Sequence, residues 1–211
     1  MKKRLFGVNS RFFLEKYLKR LKKKQILLVR SRNSFFKNGG YDLIQSLNKS
    51  YNFFHFFNFS NNITLSEAKK GKEYFLKNKC ELILSIGGGS AIDMGKMINY
   101  LKNFFFDEKE VLTQKKKISV VPHIVLPTTS GTGSEETHFA TVYHKNKKYS
   151  VQNNSLNPRI VIIDPCFTYI LPKKLTACTA LDALCQSIES YWSINSNKQS
   201  KLFASRSINR S

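Results

Sequence analysis

Three consecutive glycines after an apolar run constrain the fold of this chain more than any other feature. The segment is ELILSIGGGSAIDMGK, residues 81–96, and its apolar part has the length and composition of a buried strand. Glycines there let the backbone turn sharply and approach a ligand closely, while the next helix directs its free N–H groups at that ligand. A pyrophosphate site is one interpretation, and a plain tight turn between strand and helix is the other. The spacing is not GxGxxG, so the standard dinucleotide fingerprint is excluded.

Apolar runs alternate with helical patterns along most of the chain. Strands are predicted at residues 26–29, 53–59, 81–86, 123–126 and 159–164, and helices at 11–23, 41–49, 64–78 and 90–101. Such alternation predicts an α/β fold, a Rossmann-like nucleotide-binding domain with a mostly parallel sheet. Only helices are predicted from about residue 176. In parallel sheets of this kind, ligands bind at the carboxyl ends of the strands.

Several local patterns make sharper predictions. Thr64 and Glu67 have the spacing of a capping box at the start of a helix. Residues 138–152 are predicted to form a hairpin around KNKK, and residues 103–117 a surface connection. The helical period of the first segment places five apolar side chains on one side, namely Phe12, Phe13, Tyr17, Leu18 and Leu21.

A second polar loop, LPTTSGTGSEET at residues 126–137, also follows a predicted strand. Its hydroxyl groups are suited to ribose and phosphate, and they belong to Thr128, Thr129, Ser130, Thr132 and Ser134. Ser, Thr and Gly also favour ordinary solvent-exposed turns, which is the alternative. Because two such loops both lie at strand ends, we favour a shared nucleotide crevice.

A third pattern lies in the segment TACTALDALCQSIESYW, residues 176–192. Asp182 and Gln186 are four residues apart, so in a helix they share one face. A carboxylate and an amide oxygen at this spacing are compatible with a divalent metal. A plain polar helix face explains the same pattern. His55, His123, His138 and His144 have no spacing typical of metal ligands, although His138 follows the second loop closely enough to approach a crevice.

The chain has 35 Lys and Arg against 14 Asp and Glu, a net charge of +21. These basic residues are spread along the chain, so we expect no specific nucleic-acid partner. No apolar stretch approaches the roughly 20 residues of a membrane span. The four cysteines have neither CxxC nor zinc-ligand spacing, and we expect free thiols in the cytoplasm.

Together, three motifs resemble the iron-containing alcohol dehydrogenase family. They are GGGSAIDMGK at 87–96, PTTSGTGSE at 127–135, and the DP…LP…TA…LDAL…IESYWS series from Asp164 to Ser193. The resemblance extends from about residue 26 to the end of the sequence. It implies a dinucleotide-binding α/β domain at 1–175 and the start of a helical metal-binding domain at 176–211. The sequence then corresponds to roughly the N-terminal half of such an enzyme.

The resemblance also implies an NAD(P)- and metal-dependent enzyme that interconverts a small alcohol and an aldehyde, with a homo-oligomer as a possible state of the full-length form. The metal is expected to be iron or zinc, held by Asp182 and Gln186. Lys148 corresponds to a cofactor-contacting lysine of the family. The full set of implied cofactor-binding residues is Ser31, Gly87, Gly88, Gly89, Ser90, Asp93, Thr128, Thr129, Thr137 and Lys148.

Two departures from the family pattern refine these expectations. Gln186 replaces the usual histidine ligand, as in the branch of phosphonoacetaldehyde reductases, which the stretches THFATVY…KKYS at 137–150 and TALDALCQSIESYWSINS at 179–196 resemble most. The first strand ends in VRSR, at the place where an acidic residue often selects NAD by binding the ribose hydroxyls. Here no carboxylate would repel a 2′-phosphate and Arg32 could attract one, so the sequence favours NADPH. Reduction of phosphonoacetaldehyde to 2-hydroxyethylphosphonate is therefore one expected activity, with His138 and nearby lysines as candidates for holding the phosphonate. A truncated, non-catalytic nucleotide-binding fragment is the alternative.

Overall fold

The computed structural model describes residues 2–104, 111 and 118–210. A parallel sheet of six strands forms its centre, and an antiparallel hairpin lies beside it. The strands are β1 (Lys3–Phe6), β2 (Gln25–Arg30), β3 (Asn52–Phe56), β4 (Leu82–Gly87), β5 (His123–Pro127), β6 (Phe139–His144), β7 (Lys147–Gln152) and β8 (Ile160–Ile163). The helices are α1 (Leu14–Leu21), α2 (Ser34–Lys37), α3 (Gly40–Leu47), α4 (Leu65–Lys77), α5 (Gly89–Leu101), α6 (Lys173–Trp192) and α7 (Lys198–Ile208).

The strand order in the large sheet is β1-β8-β5-β4-β2-β3, and every neighbouring pair is parallel. β4 and β5 are direct neighbours, and their register pairs Gly87 with Pro127 at the carboxyl ends. The two Gly- and Thr-rich loops therefore leave the sheet side by side. This confirms the predicted α/β class with a parallel sheet.

Both faces of the sheet are covered, which explains why its strands are continuous apolar runs. Along β2, Leu27 and Val29 belong to a core shared with α4 and α5, whereas Ile26 and Leu28 belong to a core shared with α1 and α3. The hairpin β6–β7 contributes Val142 to the first of these cores. Among the described helices, none is both long enough and apolar enough to cross a membrane.

Several local predictions are confirmed. Thr64 and Glu67 form the capping box at the start of α4, with Glu67 N donating to Thr64 Oγ1 over 3.2 Å. The hairpin predicted at 138–152 is β6–β7, paired from Phe139 with Gln152 to His144 with Lys147. The connection predicted at 103–117 lies largely outside the described residues.

The start of the chain differs from its prediction. α1 begins only at Leu14, after a 3₁₀ turn at Ser10–Phe13, and its buried side chains are Leu14 and Leu18. Phe12 and Phe13 are 62% and 50% exposed, so their placement on the buried side was wrong. They precede the α-helix, and its periodicity does not extend to them. The edge strand β1 was not predicted, because its sequence KRLF lacks a long apolar run.

A buried carboxylate connects the N-terminal segment to the end of β8. Asp164 accepts hydrogen bonds from the backbone N–H groups of Asn9, Arg11 and Cys166, and it pairs with the Arg11 guanidinium at 3.1 Å. Burial by itself would raise the pKa of Asp164. The backbone N–H groups of Arg11 and Cys166, together with the Arg11 charge, outweigh burial and lower it.

Replacing this carboxylate should destabilise the fold. Asp164→Ala leaves three backbone donors and a guanidinium without their acceptor, so we expect a loss of about 3 kcal/mol in the free energy of unfolding. Glu15→Ala is the matched control, because Glu15 forms an exposed pair with Lys19 and should cost less than about 1 kcal/mol. Urea denaturation followed by circular dichroism measures both. Equal losses in the two variants would contradict the assignment.

Candidate functional site

The glycine triplet forms the turn from β4 into α5. Gly87 is the last residue of β4, Gly88 is the N-cap of α5, and Gly89 is its first helical residue. A Cβ atom on Gly88 would lie 3.1 Å from Thr129 Oγ1, and one on Gly89 would lie 3.1 Å from Thr132 Oγ1. A Cβ atom at either position would press on a threonine side chain of the second loop, which would have to shift by a few tenths of an ångström. The amino end of α5, with its free N–H groups, faces the space beyond this turn.

The second loop is fixed to the sheet at its start and approaches α6 in its middle. Thr128 is buried, and its backbone N–H donates to the Gly87 carbonyl over 3.0 Å. Gly131 has φ +156°, and a Cβ atom there would overlap the Thr179 backbone in α6. The loop therefore depends on glycine at position 131 for both its conformation and its contact with α6.

A cavity of about 540 Å³ lies between the start of α5, the second loop, the hairpin and α6. The predicted site residues that line it are Gly89, Ser90, Asp93, Thr137, Lys148, Asp182 and Gln186. They come from segments up to about a hundred positions apart in the sequence, so the fold brings together the predicted lysine and metal-ligand candidates. Residues that sequence reasoning missed also line this cavity, namely Asn61, Asn62, Ile63, Phe139, Thr141 and Tyr143.

A second cavity of about 630 Å³ lies on the other side of the glycine turn. Its predicted site residues are Ser31, Gly88, Gly89, Ser90, Thr128 and Thr129. Gly89, Ser90, Asn61 and Thr132 line both cavities, so the two spaces form one crevice that passes over the amino end of α5. Among the predicted cofactor-binding residues, Gly87 lines neither cavity.

The larger cavity is electropositive. Arg30, Arg32 and Lys37 line it, and its described lining contains no carboxylate. Arg30 is nearly buried, stacks 4.0 Å from the ring centroid of Phe57, and donates from Nε to His55 Nδ1 over 3.0 Å. Burial lowers the pKa of Arg30, and burial together with the Arg30 charge lowers the pKa of His55. A ligand in this space meets cationic groups without a competing acid.

Asp93 and Lys96 connect α5 to the second loop and to the hairpin. Ser134 Oγ donates to one Asp93 carboxylate oxygen, and the Thr141 backbone N–H donates to the other over 3.0 Å. The Lys96 side chain is fully buried, with Nζ 3.6 Å from Asp93 Oδ1. Burial lowers the pKa of Lys96 to about 8, against the attraction of Asp93, so the group is a cation at neutral pH.

The two metal-ligand candidates lie together but do not form a complete metal site. Asp182 and Gln186 are exposed on one face of α6, and Gln186 Nε2 donates to Asp182 Oδ2 over 2.9 Å. Across residues 2–104, 111 and 118–210, no group of three or more His, Cys, Asp or Glu side chains is placed to hold a metal ion. Asp182 and Gln186 by themselves are two oxygen-donor side chains, fewer than the three or more protein ligands of a stably bound catalytic metal.

His138 lies directly before β6, at the end of the second loop. Its ring stacks on Phe139 with the centroids 4.3 Å apart, and its Nε2 is 3.2 Å from the Gln152 amide nitrogen. It does not line the 540 Å³ cavity, although its neighbour Phe139 does. Its role in holding an anionic substrate stays a prediction.

This parallel α/β sheet, with two glycine-containing loops at adjacent strand ends, is the architecture of a dinucleotide-binding domain. The sequence matches the family described as "Iron-containing alcohol dehydrogenase" over residues 2–165. The chain belongs to this family. The resemblance therefore starts at residue 2, and the expected start near residue 26 was wrong, because β1 and α1 are part of the shared domain.

Individual relatives agree with this assignment. The chain is 32% identical over 174 residues to NADH-dependent butanol dehydrogenase A of Clostridium acetobutylicum, covering 80% of this chain and 45% of that protein. The crystal structure of NADH-dependent butanol dehydrogenase A from Thermotoga maritima superimposes with a TM-score of 0.88 at 28% identity, over 98% of this chain and 53% of that one. The crystal structure of sulfoacetaldehyde reductase from Bifidobacterium kashiwanohense, in complex with NAD⁺, superimposes with a TM-score of 0.84 at 26% identity. The match covers 99% of this chain and 60% of that one. The chain thus spans about half the length of the relatives it matches.

The buried Lys96 should produce a measurable pH dependence of stability. Its pKa is lowered from 10.5 to about 8 in the folded chain, so between these values the unfolded state binds more protons. The free energy of unfolding should therefore rise with pH across this window, by up to about 3 kcal/mol. Lys96→Met should lack this rise, and the exposed control Lys49→Met should keep it. Denaturation curves from pH 7 to pH 10.5 measure the difference, and identical slopes in all three proteins would exclude Lys96 as the cause.

Proposed function

We propose that this chain is the cofactor-binding part of an NAD(P)-dependent oxidoreductase that interconverts a small alcohol and an aldehyde. The observation that carries the proposal is the contact between the two loops at the carboxyl ends of β4 and β5, where Thr129 meets Gly88. The crevice formed there passes over a helix amino end and continues as a cavity on either side. This arrangement is suited to a ligand with two bulky ends and a central pyrophosphate.

The three parts of the cofactor have distinct places in this proposal. The pyrophosphate lies over Gly88, Gly89 and Ser90, where the first N–H groups of α5 are free to donate. The adenosine end occupies the 630 Å³ cavity, beside Ser31 and Thr128. The nicotinamide end extends into the 540 Å³ cavity, beside Thr137 and Lys148. Gly87 acts through the backbone turn, because it lines neither cavity.

NADPH is the cofactor that the electrostatics of the larger cavity favour. A 2′-phosphate adds negative charge at the adenosine end, and the described lining there has three cationic side chains and no carboxylate. Arg32 is exposed beside Ser31 and donates from Nη2 to Asn58 Oδ1 over 3.1 Å, so its guanidinium is held at the cavity edge. Two of the relatives are described as NADH-dependent, so this chain would differ from them.

Bound NADPH supplies the hydride that reduces a carbonyl carbon, while the protein supplies binding and orientation. The 540 Å³ cavity is the place for the carbonyl substrate, because it combines hydroxyl groups, the Lys148 ammonium and one apolar wall at Phe139. No metal-dependent step is assigned to these residues, since the described part of the chain does not complete a metal site.

An aldehyde with an anionic head group, such as phosphonoacetaldehyde, is the substrate class that we favour. Lys148 places a cation in the substrate cavity, which the carboxylates Asp93 and Asp182 also line. The similarity to a sulfoacetaldehyde reductase supports an anionic two-carbon substrate, because sulfonate and phosphonate are related tetrahedral anions. The similarity to butanol dehydrogenases supports a neutral aldehyde as the competing choice.

A non-catalytic nucleotide-binding fragment is the second candidate. The observation that favours it is the incomplete ligand set around Asp182 and Gln186. The two candidates differ in turnover, since both bind a cofactor. Oxidation of NADPH by the purified chain with phosphonoacetaldehyde, sulfoacetaldehyde or butanal, stimulated by added Fe²⁺ or Zn²⁺, would exclude the fragment.

Gly88→Val tests the pyrophosphate assignment. The new side chain would press on Thr129 and fill the turn, so we expect NADPH and NADH binding to weaken by on the order of a hundredfold or more. Lys49→Ala, an exposed change between α3 and β3, should bind both cofactors as the unchanged chain does. Calorimetric titration measures the dissociation constants. Unchanged affinity in a folded Gly88→Val variant would refute the assignment.

Arg32→Ala tests the cofactor preference. Loss of one charge-assisted contact to a 2′-phosphate should raise the NADPH dissociation constant about tenfold, while NADH binding stays within about twofold. Lys49→Ala serves again as the control, because it removes a cation far from the crevice. The preference for NADPH would be refuted if Arg32→Ala raised both dissociation constants equally. It would also be refuted if the unchanged chain bound NADH more tightly than NADPH.

A further inference from the structure

Lys96 is the most enclosed charged side chain in the described part of the molecule. It lies on α5, its exposed fraction is 0%, and it lines neither cavity of the crevice. Its ammonium is surrounded by oxygen atoms of the second loop and of β6. It donates to the carbonyl oxygens of Ser134 and Phe139 over 2.6 and 2.7 Å, to Thr137 Oγ1 over 3.1 Å, and to Ser134 Oγ over 3.2 Å.

These contacts join segments that the sequence separates. Ser134 and Phe139 lie about forty positions after Lys96, and the segment between them contains Thr137, which lines the nicotinamide side of the crevice. Asp93, one helical turn earlier, accepts from Ser134 Oγ and from the Thr141 backbone N–H. One turn of α5 therefore holds both the end of the second loop and the start of β6.

We propose that Lys96 is the positioning residue of the cofactor crevice, which holds the loop from Ser134 to Phe139 against α5 without touching the cofactor. The inference rests on the proposed cofactor site, because Thr137 and the hairpin residues form that site only when the loop is held in place. The buried Ser134 carbonyl and the partly buried Phe139 carbonyl lose this donor when the ammonium is removed, and an apolar side chain of similar length cannot replace it.

Charged and titratable groups face this ammonium from every element around it. Asp93 lies on α5, Glu135 in the second loop, Lys2 before β1, and His123 on β5. Burial, aided by the Lys96 charge, lowers the pKa of His123 to about 3, so this imidazole is neutral near pH 7. Burial also raises the pKa of Glu135. Because burial lowers the pKa of Lys96 in the folded chain, raising the pH towards 9 does not by itself release the loop from α5.

The test compares the unchanged chain with Lys96→Met, Ser134→Ala and the control Lys102→Met, which places the same substitution at the end of the same helix. Calorimetry gives the NADPH dissociation constant at pH 7 and at pH 9, and hydrogen–deuterium exchange follows the peptide covering residues 128–141. We expect Lys96→Met to raise the dissociation constant on the order of tenfold at pH 7 and to exchange faster in this peptide. The unchanged chain should bind NADPH at pH 9 at least as tightly as at pH 7, because the state with Lys96 enclosed binds fewer protons than the state with the loop released, whereas Lys96→Met should bind equally at both pH values.

Ser134→Ala keeps the test decisive if Lys96→Met does not fold. It removes the hydroxyl that joins Asp93 and Lys96, and it should show a smaller change of the same kind, about threefold in affinity. Lys102→Met should match the unchanged chain in both measurements. The positioning role would be overturned if Lys96→Met and Ser134→Ala bind NADPH as tightly as the unchanged chain does. This holds whether their peptide 128–141 exchanges faster, equally fast or more slowly. Absence of NADPH and NADH binding by the unchanged chain would instead refute the proposed function.

Discussion

The pairing of β4 with β5 is the constraint on which the rest of the crevice depends. Parallel register brings Gly87 opposite Pro127, and the Thr128 N–H then donates to the Gly87 carbonyl. Two loops that are about forty residues apart in sequence consequently start at the same edge of the sheet. Their close approach would put a Cβ atom at Gly88 or Gly89 in tight contact with Thr129 or Thr132, which favours glycine at both positions.

The start of α5 serves two purposes in this architecture. Its amino end directs free N–H groups into the crevice, and its next turns carry Asp93, which lines the crevice and contacts the loop, and Lys96, which lies behind the crevice against that loop. Binding and support are thus combined in one helix. A buried cation costs free energy unless many oxygen atoms surround it, and the loop from Ser134 to Phe139 supplies these atoms. The polar interior behind the crevice is therefore specific to one loop conformation.

The electrostatics of the crevice are uneven along its length. The 630 Å³ cavity has Arg30, Arg32 and Lys37, whereas the 540 Å³ cavity has Asp93 and Asp182 along with Lys148. Membership in the iron-containing alcohol dehydrogenase family leads one to expect a metal near Asp182. Gln186, in place of a histidine, currently donates its amide N–H to Asp182, and the described residues offer no third ligand. The cofactor side of the site is thus more completely formed than the metal side.

Local sequence patterns determined the parallel sheet, the capping box of α4, the hairpin and the glycine turn, because each depends on neighbouring residues or on burial of both strand faces. Membership of the family was also evident from three motifs in order. Only the tertiary structure decided which distant groups meet. It stacked His138 on Phe139, exposed Phe12 and Phe13, and buried Lys96 among oxygen atoms from a loop forty positions away. Such contacts depend on strand order and register, and no local period or spacing in the sequence encodes them.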